Sequence, residues 1–439
     1  MRVPTHIIVA ASAWGSRLVS IFVQFYSIKI LLDLLGTDGY AIFTVTGSLV
    51  GWFLLADFGL GNSLQNQISH RRVNNQEYQD IILCAGIAAI PIFILSIFAV
   101  IASSSFLSAF IFGNFYLLDN NQKKQIFQVA SLIFLTTAIG NISFKIWFSE
   151  HKGWISNIIP AFSSILGLAL LVNLESDNLG INNELIYTIS CFYVPAAILG
   201  IISFLLRFIP SFRVFNFLKK ETFYLLLKNG MGFFIFSLLS ALVLQVDYII
   251  MSKTLIGKDV VIYNIMSKTF GLINFIYAAL LQSLWPICTE ASSKKRFNDF
   301  YKIEKRYISF GFLVVMVSTL MIFLLKDFIL NILAPNKGFD FPITLIILFS
   351  IYHVVRVWTD TYAMFLMSIG KLKPLWISVP FQAVFSGSLQ WYGAINYGLV
   401  GLLCGLITSF LITVSWWLPF SFRSIVNKIV KDRHLNEQH

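Results

Sequence analysis

The sequence predicts an all-α integral membrane protein, with about 12 transmembrane helices in two six-helix lobes related by a parallel repeat. Three observations lead there: composition, the distribution of basic residues between loops, and a residue spacing that recurs about 220 positions later. Of the 439 residues 57% are hydrophobic and only 12% charged, and the mean hydropathy is +0.77. A soluble domain of this size needs more charge to cover its surface. Apolar stretches of roughly 20 residues recur from end to end, the length that crosses a ~30 Å hydrocarbon core as a helix. They lack the period-two alternation of an outer-membrane barrel, so helix is the reading.

The expected spans are 7–31, 39–63, 80–103, 125–148, 153–174, 185–207, 229–252, 259–285, 307–330, 341–369, 375–395 and 399–422. The first lacks a small-residue cleavage site and reads as a retained helix, not a cleaved signal peptide. With the N-terminus cytoplasmic, and with Arg207 and Lys326 at their span ends counted with the adjoining loops, the cytoplasmic segments hold 21 of the 32 Lys and Arg residues and the periplasmic loops hold 6. That bias obeys the positive-inside rule and places both termini in the cytoplasm. It also accounts for most of the +11 net charge without nucleic acid. Trp147, Trp154, Trp285, Trp376, Trp416 and Trp417 fall near the same predicted cytoplasmic interface, where indoles concentrate.

The organisation follows from the basic segment after the sixth span. Residues 1–207 form an N-terminal lobe and 208–228 a basic cytoplasmic linker; 229–422 form a C-terminal lobe and 423–439 a basic tail. Six is even, so the lobes share one orientation. Arg17, Ser20, Gln24 and Ser27 make a polar stripe at helical spacing, and Ser237, Ser240, Leu244 and Asp247 repeat that spacing 220 residues later. With one residue inserted, Gly36-Thr37-Asp38 aligns with Gly257-Lys258-Asp259, and Gly47, Asp57 and Gly61 align with Lys268, Ala278 and Gln282. The first, second, seventh and eighth helices are therefore expected to be equivalents lining one cleft.

Ionisable residues inside the bilayer cost roughly 2.5–3.5 kcal/mol on insertion scales and usually face a cavity or a partner. Arg17 lies mid-helix on its polar stripe, and Lys268 shares a stripe with Asn264, Gly271 and Gln282. Arg356 has His353 and Asp360 on its face, and Asp247 sits in the seventh helix. Plain structural readings compete: Arg356 and Asp360 are four apart and can neutralise each other, and Asp247 and Lys268 lie at similar depth and can pair. Asp57 precedes two glycines and can simply organise its helix end. Lys29 and Lys145 lie near helix ends and can snorkel. The five cations outnumber Asp57, Asp247 and Asp360, a surplus that suits an anionic cargo whose phosphate supplies the missing partner.

Other chemistry is not signalled. Cys84, Cys191, Cys288 and Cys404 stand in apolar segments at unrelated spacings, as buried thiols do, and give neither a disulfide framework nor a metal set. There is no Walker P-loop, no dinucleotide fingerprint and no HExxH pair. No cofactor and no enzymatic role are expected. Gly47 to Gly51 and Gly401 to Gly405 form GxxxG motifs of close helix packing.

Two stretches carry a family resemblance: LLADFGLGNSLQNQIS (Leu54 to Ser69), and the run VDYIIMSKTLIGKDVVIYNIMSKTFGLINFIYAALLQSLWPICTE (Val246 to Glu290). An Asp-Phe-Gly-Leu-Gly element closing the second helix, an Asp in the seventh and a Gly-turn-Tyr element leading into a polar eighth resemble the Wzx-type O-antigen flippases. These form the polysaccharide transporter branch of the multidrug/oligosaccharidyl-lipid/polysaccharide exporter superfamily. The resemblance implies a repeat unit on undecaprenyl pyrophosphate, passed from the cytoplasmic to the periplasmic leaflet of a bacterial inner membrane by alternating access. It also implies a polysaccharide polymerase and chain-length regulator as partners. Within that frame Arg17, Lys268, Arg356, Gln24, Asn264 and Gln282 are the expected cationic cavity, and Asp247, Asp360 and Asp57 the expected ion-coupling carboxylates. A lipid II-type flippase and a drug/cation antiporter are the alternatives in the same superfamily. The antiporter favours an acidic cavity, and lipid II flippases usually carry extra helices. A membrane polysaccharide polymerase or ligase is the reading from another class, and it wants a large catalytic periplasmic loop.

Overall fold

The computed structural model describes residues 5–174, 180–217, 220–293, 297–335 and 337–436. Among them are ten helical stretches long and apolar enough to cross a membrane. Two of these, Ala11–Asp57 and Lys373–Ile429, have 47 and 57 residues, about twice a bilayer span at ~1.5 Å per residue. Each is interrupted by a glycine at positive φ, Gly36 at 66° and Gly398 at 60°, a region glycine enters without steric cost. Dividing both at these glycines gives twelve membrane-length segments, in keeping with the hydropathy reading.

The chain forms two compact units, Met1–Ala241 and Leu242–His439. The first contains α1 (Thr5–Ser48), α2 (Val50–Phe53), α3 (Leu60–Val73), α4 (Gln79–Phe112), α5 (Asn120–Ser149), α6 (Gly153–Val172), α7 (Ile181–Ser211) and most of α8 (Lys220–Leu244). Its centre is the packing of α5 on α7. A Cβ on Gly140 would lie 2.5 Å from the Gly200 Cα, so only glycine lets the two backbones touch. Beside that contact Ser143 bonds Ser203 at 2.7 Å, and Trp147 Nε1 donates to the Ser203 hydroxyl at 2.9 Å. At the end of α5 Glu150 pairs with Arg207, whose guanidinium sits 4.7 Å over Trp147. The Tyr78 hydroxyl donates to the same carboxylate at 3.2 Å; burial and the adjacent Glu150 push the phenol pKa up.

The second unit contains α9 (Val246–Thr254), α10 (Gly257–Ser293), α11 (Phe297–Leu333), α12 (Ile343–Ser368), α13 (Lys373–Ile412) and α14 (Val414–Asn436). Helix α12 packs against α10, α11, α13 and α14. Phe300, Tyr362, Phe365 and Phe422 fill the space at one end of it, with Phe365 stacked on Phe422 at 5.1 Å. The GxxxG at Gly401 and Gly405 does bring backbones together: a Cβ there would lie 2.0 Å from the Gly393 carbonyl and 2.4 Å from that of Leu389.

Several expected boundaries move. The third span reaches Phe112, beyond residue 103, because the hydroxyls of Ser103 and Ser104 donate to carbonyls of the preceding turn and the helix continues through a polar patch. The second span breaks at Phe58–Gly59 instead of running to residue 63. The seventh begins at Lys220 and breaks at Gln245. Of the cysteines, Cys84 and Cys288 are buried as expected, whereas Cys404 is exposed on α13, where an apolar thiol can face lipid at little cost.

Candidate functional site

The Asp-Phe-Gly-Leu-Gly element of the first unit is a break in the chain that a carboxylate organises. Phe58 and Gly59 both take left-handed conformations, with φ of 48° and 73°. The Asp57 carboxylate then accepts from the amides of Gly59 at 2.8 Å and Gly61 at 3.1 Å, occupying orphan donors at the start of α3. The break lies directly on α8. A Cβ on Gly59 would sit 2.2 Å from the Gly230 carbonyl, Phe58 stacks on Phe234 at 4.8 Å, and Ser63 donates to the Leu226 carbonyl at 2.9 Å. A cavity of about 380 Å³ opens beside it, lined by Asp57, Asn62, Asn141, Lys145 and Ser237. The Lys145 ammonium interacts electrostatically with Asp57. Helix organisation, the plainer reading of Asp57, is thus what its oxygens are seen to do.

In the second unit the polar groups gather around α9, α10 and α12. Gln245 leaves helical geometry at φ −133°, ψ 0°, and α9 restarts at Val246 with Asp247 in its first turn. That places a carboxylate at the positive end of a helix interrupted within the membrane span. Asp247 is buried; one oxygen accepts the Tyr263 hydroxyl and the other the Tyr248 amide at 2.9 Å. The Tyr248 hydroxyl accepts from Asn264 Nδ2 at 2.8 Å. The two tyrosine rings meet edge to face at 5.6 Å. The Gly-turn-Tyr element therefore has a physical role here: Tyr263 supplies the donor that Asp247 needs. The ion pair of Asp247 with Lys268 does not form, because Tyr263 holds the carboxylate more than one turn away along α10.

Aromatic packing continues this cluster along α12. Phe349 touches Tyr263 at 5.5 Å and Phe270 at 5.3 Å. The His353 ring lies between Phe270 and Tyr352, with Nδ1 2.8 Å from the Phe349 carbonyl. Arg356 holds Asp360 through Nε at 3.1 Å and Nη2 at 2.9 Å, and Nη1 donates to the Tyr352 hydroxyl at 3.1 Å. Its guanidinium also lies 5.8 Å from the Phe410 ring centre. The four-apart neutralisation is therefore formed, and it occupies most of the Arg356 donors. Lys268 differs. It is half-buried on α10, one turn beyond Asn264, and makes no hydrogen bond or ion pair among the described residues.

Asp247, Asn264, Lys268, Arg356 and Asp360 share the second unit, whereas Arg17, Gln24 and Asp57 belong to the first. Arg17 is half-buried and the Gln24 side chain exposed, with the Ser27 hydroxyl donating to the Gln24 carbonyl at 3.0 Å. The Gln282 side chain lies outside the described residues. Sequence reasoning missed Tyr248 and Tyr352 as partners of the buried charges. It also missed the break at Gln245, which no glycine or proline announces. Trp358 of α12 donates Nε1 to the Ser415 carbonyl at 2.7 Å and packs edge-on against Tyr362 at 4.9 Å.

Comparison with known proteins decides the family. The family model described as polysaccharide biosynthesis protein matches residues 11–292. A Yersinia pseudotuberculosis protein named for O-antigen export is 74% identical over 437 residues, covering 100% of each chain. The chain belongs to the polysaccharide biosynthesis protein family. The resemblance to Wzx-type flippases drawn from residues 54–69 and 246–290 therefore holds. Solved structures agree on the fold alone. An inward-facing multidrug resistance MATE family transporter of the MOP superfamily aligns with a TM-score of 0.70 at 13% identity, over 92% of this chain and 96% of that one. The lipid II flippase MurJ, in an inward closed conformation, aligns with a TM-score of 0.66 at 14% identity, over 95% and 87%. This member of the polysaccharide biosynthesis family thus has a transporter fold with a membrane-embedded polar cluster in each unit.

Proposed function

We propose that the protein moves undecaprenyl-pyrophosphate-linked O-antigen repeat units, or a closely similar polysaccharide unit, from the cytoplasmic to the periplasmic leaflet of a bacterial inner membrane. It does so by alternating access, with both termini cytoplasmic and without covalent chemistry of its own. Family membership and the O-antigen name of a relative covering the whole chain support the cargo class. The observation that carries the reading is Lys268. An ammonium inside a membrane-spanning helix is costly, and among the described residues this one has no acid to offset that cost. A pyrophosphate is the partner such a cation lacks. In this reading Arg17 is a second cation for the cargo. Arg356 contributes once the cargo competes with Asp360, and Gln24, Asn264 and Gln282 bind sugar hydroxyls.

Asp247 is the favoured ion-coupling group, ahead of Asp360 and Asp57. Among the described residues its partners are a phenol and an amide, with no cation, so a proton or sodium ion can neutralise it without breaking an ion pair. A polysaccharide polymerase and a chain-length regulator acting on the delivered unit are the proposed partners. The test is a deletion strain in which lipid-linked oligosaccharide is quantified on each leaflet with a periplasm-restricted probe. Accumulation on the cytoplasmic leaflet, relieved by the wild-type gene and not by Lys268→Gln, is the expected result. An unchanged leaflet distribution on deletion would sink the proposal, and accumulation of lipid II instead would move the activity to that substrate.

A further inference from the structure

The short turn between α12 and α13 forms a recess that the transport reading leaves unused. Helix α12 ends in a Schellman motif: Gly370, at φ 70°, donates its amide to the Met367 carbonyl at 3.0 Å, and the Lys371 amide reaches Leu366 at 2.9 Å. Two residues later α13 starts, with no side-chain cap and with Pro374 in its first turn. The Met367 and Leu366 carbonyls are thereby satisfied, while the first amides of α13 receive no side-chain cap. Trp417 Nε1 donates to the Pro374 carbonyl at 3.1 Å, which ties α14 to this start and forms the far wall. The recess so enclosed measures about 530 Å³.

Its chemistry is cationic on one side and apolar on the other. Lys371 and Lys373 are exposed at its mouth and make no ion pair among the described residues. Ser421, 8% exposed, lines the recess without a hydrogen bond of its own among the described residues. Ile377 and Phe420, 41% and 64% exposed, continue the wall as apolar surface. By loop charge and tryptophan placement this is the cytoplasmic interface of the bilayer, where anionic headgroups lie over acyl chains.

We infer that this recess binds the phosphate headgroup of an anionic phospholipid in the cytoplasmic leaflet. Lys371 and Lys373 supply the charge, and the Ser421 hydroxyl and the α13 amides donate to phosphate oxygens. Ile377 and Phe420 lie along the acyl chains. The site is separate from the polar cluster around Asp247 and does not depend on the identity of the cargo.

Native mass spectrometry of the full chain, released from detergent with added phosphatidylglycerol or phosphatidylethanolamine, tests it. The wild type should hold phosphatidylglycerol preferentially. Lys371→Gln with Lys373→Gln should weaken that association on the order of twentyfold, since each lysine near an anionic surface is worth about fivefold. The double arginine variant should keep it, as should a charge-matched control, Lys305→Gln with Lys428→Gln. Glycerol 3-phosphate at millimolar concentration should not displace the lipid. Equal binding of both phospholipids would overturn the inference. So would an equal loss in the control, displacement by glycerol 3-phosphate, or preference for a polyprenyl phosphate over phosphatidylglycerol.

Discussion

Replacing Lys268 by methionine asks whether the residue serves folding or cargo. The two side chains have similar length, so the change removes the ammonium while keeping most of the packing. A lysine at the centre of a membrane helix costs about 2.5–3.5 kcal/mol on insertion scales. Lys268 is more than half buried in a membrane span, so a substantial part of that cost, about 1–2 kcal/mol, is expected to persist in the folded protein. No acid or hydrogen-bond acceptor among the described residues is lost with it. The expected result is a protein more stable by about 1–2 kcal/mol in reversible denaturant titration of the purified chain. Cells carrying it should at the same time lose the O-antigen ladder on polysaccharide gels, at wild-type protein levels. Gain of stability with loss of function is the signature of a residue kept for activity. A lower unfolding midpoint, with surface polysaccharide falling only in step with protein amount, would refute the reasoning and make Lys268 a structural residue.

Three further outcomes follow from the geometry. Arg356→Gln and Asp360→Asn should each cost about 2 kcal/mol, below the usual 3–5 for a buried pair because the Asp360 side chain is 35% exposed; the double variant should cost little more than either, a coupling measurable in a double-mutant cycle. Gly59→Ala should destabilise by roughly 3 kcal/mol or more, combining a left-handed backbone with a Cβ 2.2 Å from the Gly230 carbonyl, and should show as loss of folded protein on size-exclusion chromatography. Tyr263→Phe leaves one oxygen of buried Asp247 without its phenol and should cost about 1–3 kcal/mol in thermal unfolding, with Asp247→Asn in the same background recovering part of it.

Hydropathy made the membrane helices legible because an apolar run of span length has one stable solution in lipid. Their ends were not legible, since Ser103 and Ser104 keep the helix going by bonding their own backbone, which hydropathy reads as polar loop. The Arg356–Asp360 pair could be read directly, because four residues is one helical turn. The partner of Asp247 could not. Tyr263 is 16 residues away and reaches the carboxylate only through the turn between α9 and α10. The break at Phe58–Gly59 sat inside a recognised motif, yet its left-handed phenylalanine follows from the crossing with α8, a contact 171 residues distant in sequence at Gly59 and Gly230.

Sequence alone gave five membrane-embedded cations against three acids and left open which pairs cancel. Each acid has now been found a place: Asp57 on two amides beside Lys145, Asp360 on Arg356, and Asp247 on a phenol and an amide. Asp247 therefore stands as an anion with neutral donors, and Lys268, some twenty residues on along the neighbouring helix, as a cation without an acid among the described residues. Had the fold needed only neutrality, pairing these two would have removed both costs at once. Keeping them apart holds two charges inside the membrane that do not pair with each other; under the proposed function one takes a proton or sodium ion and the other an anionic group. Under the proposed function those costs are offset only when ion and cargo are bound, which gives the transport cycle a difference in free energy between loaded and empty states.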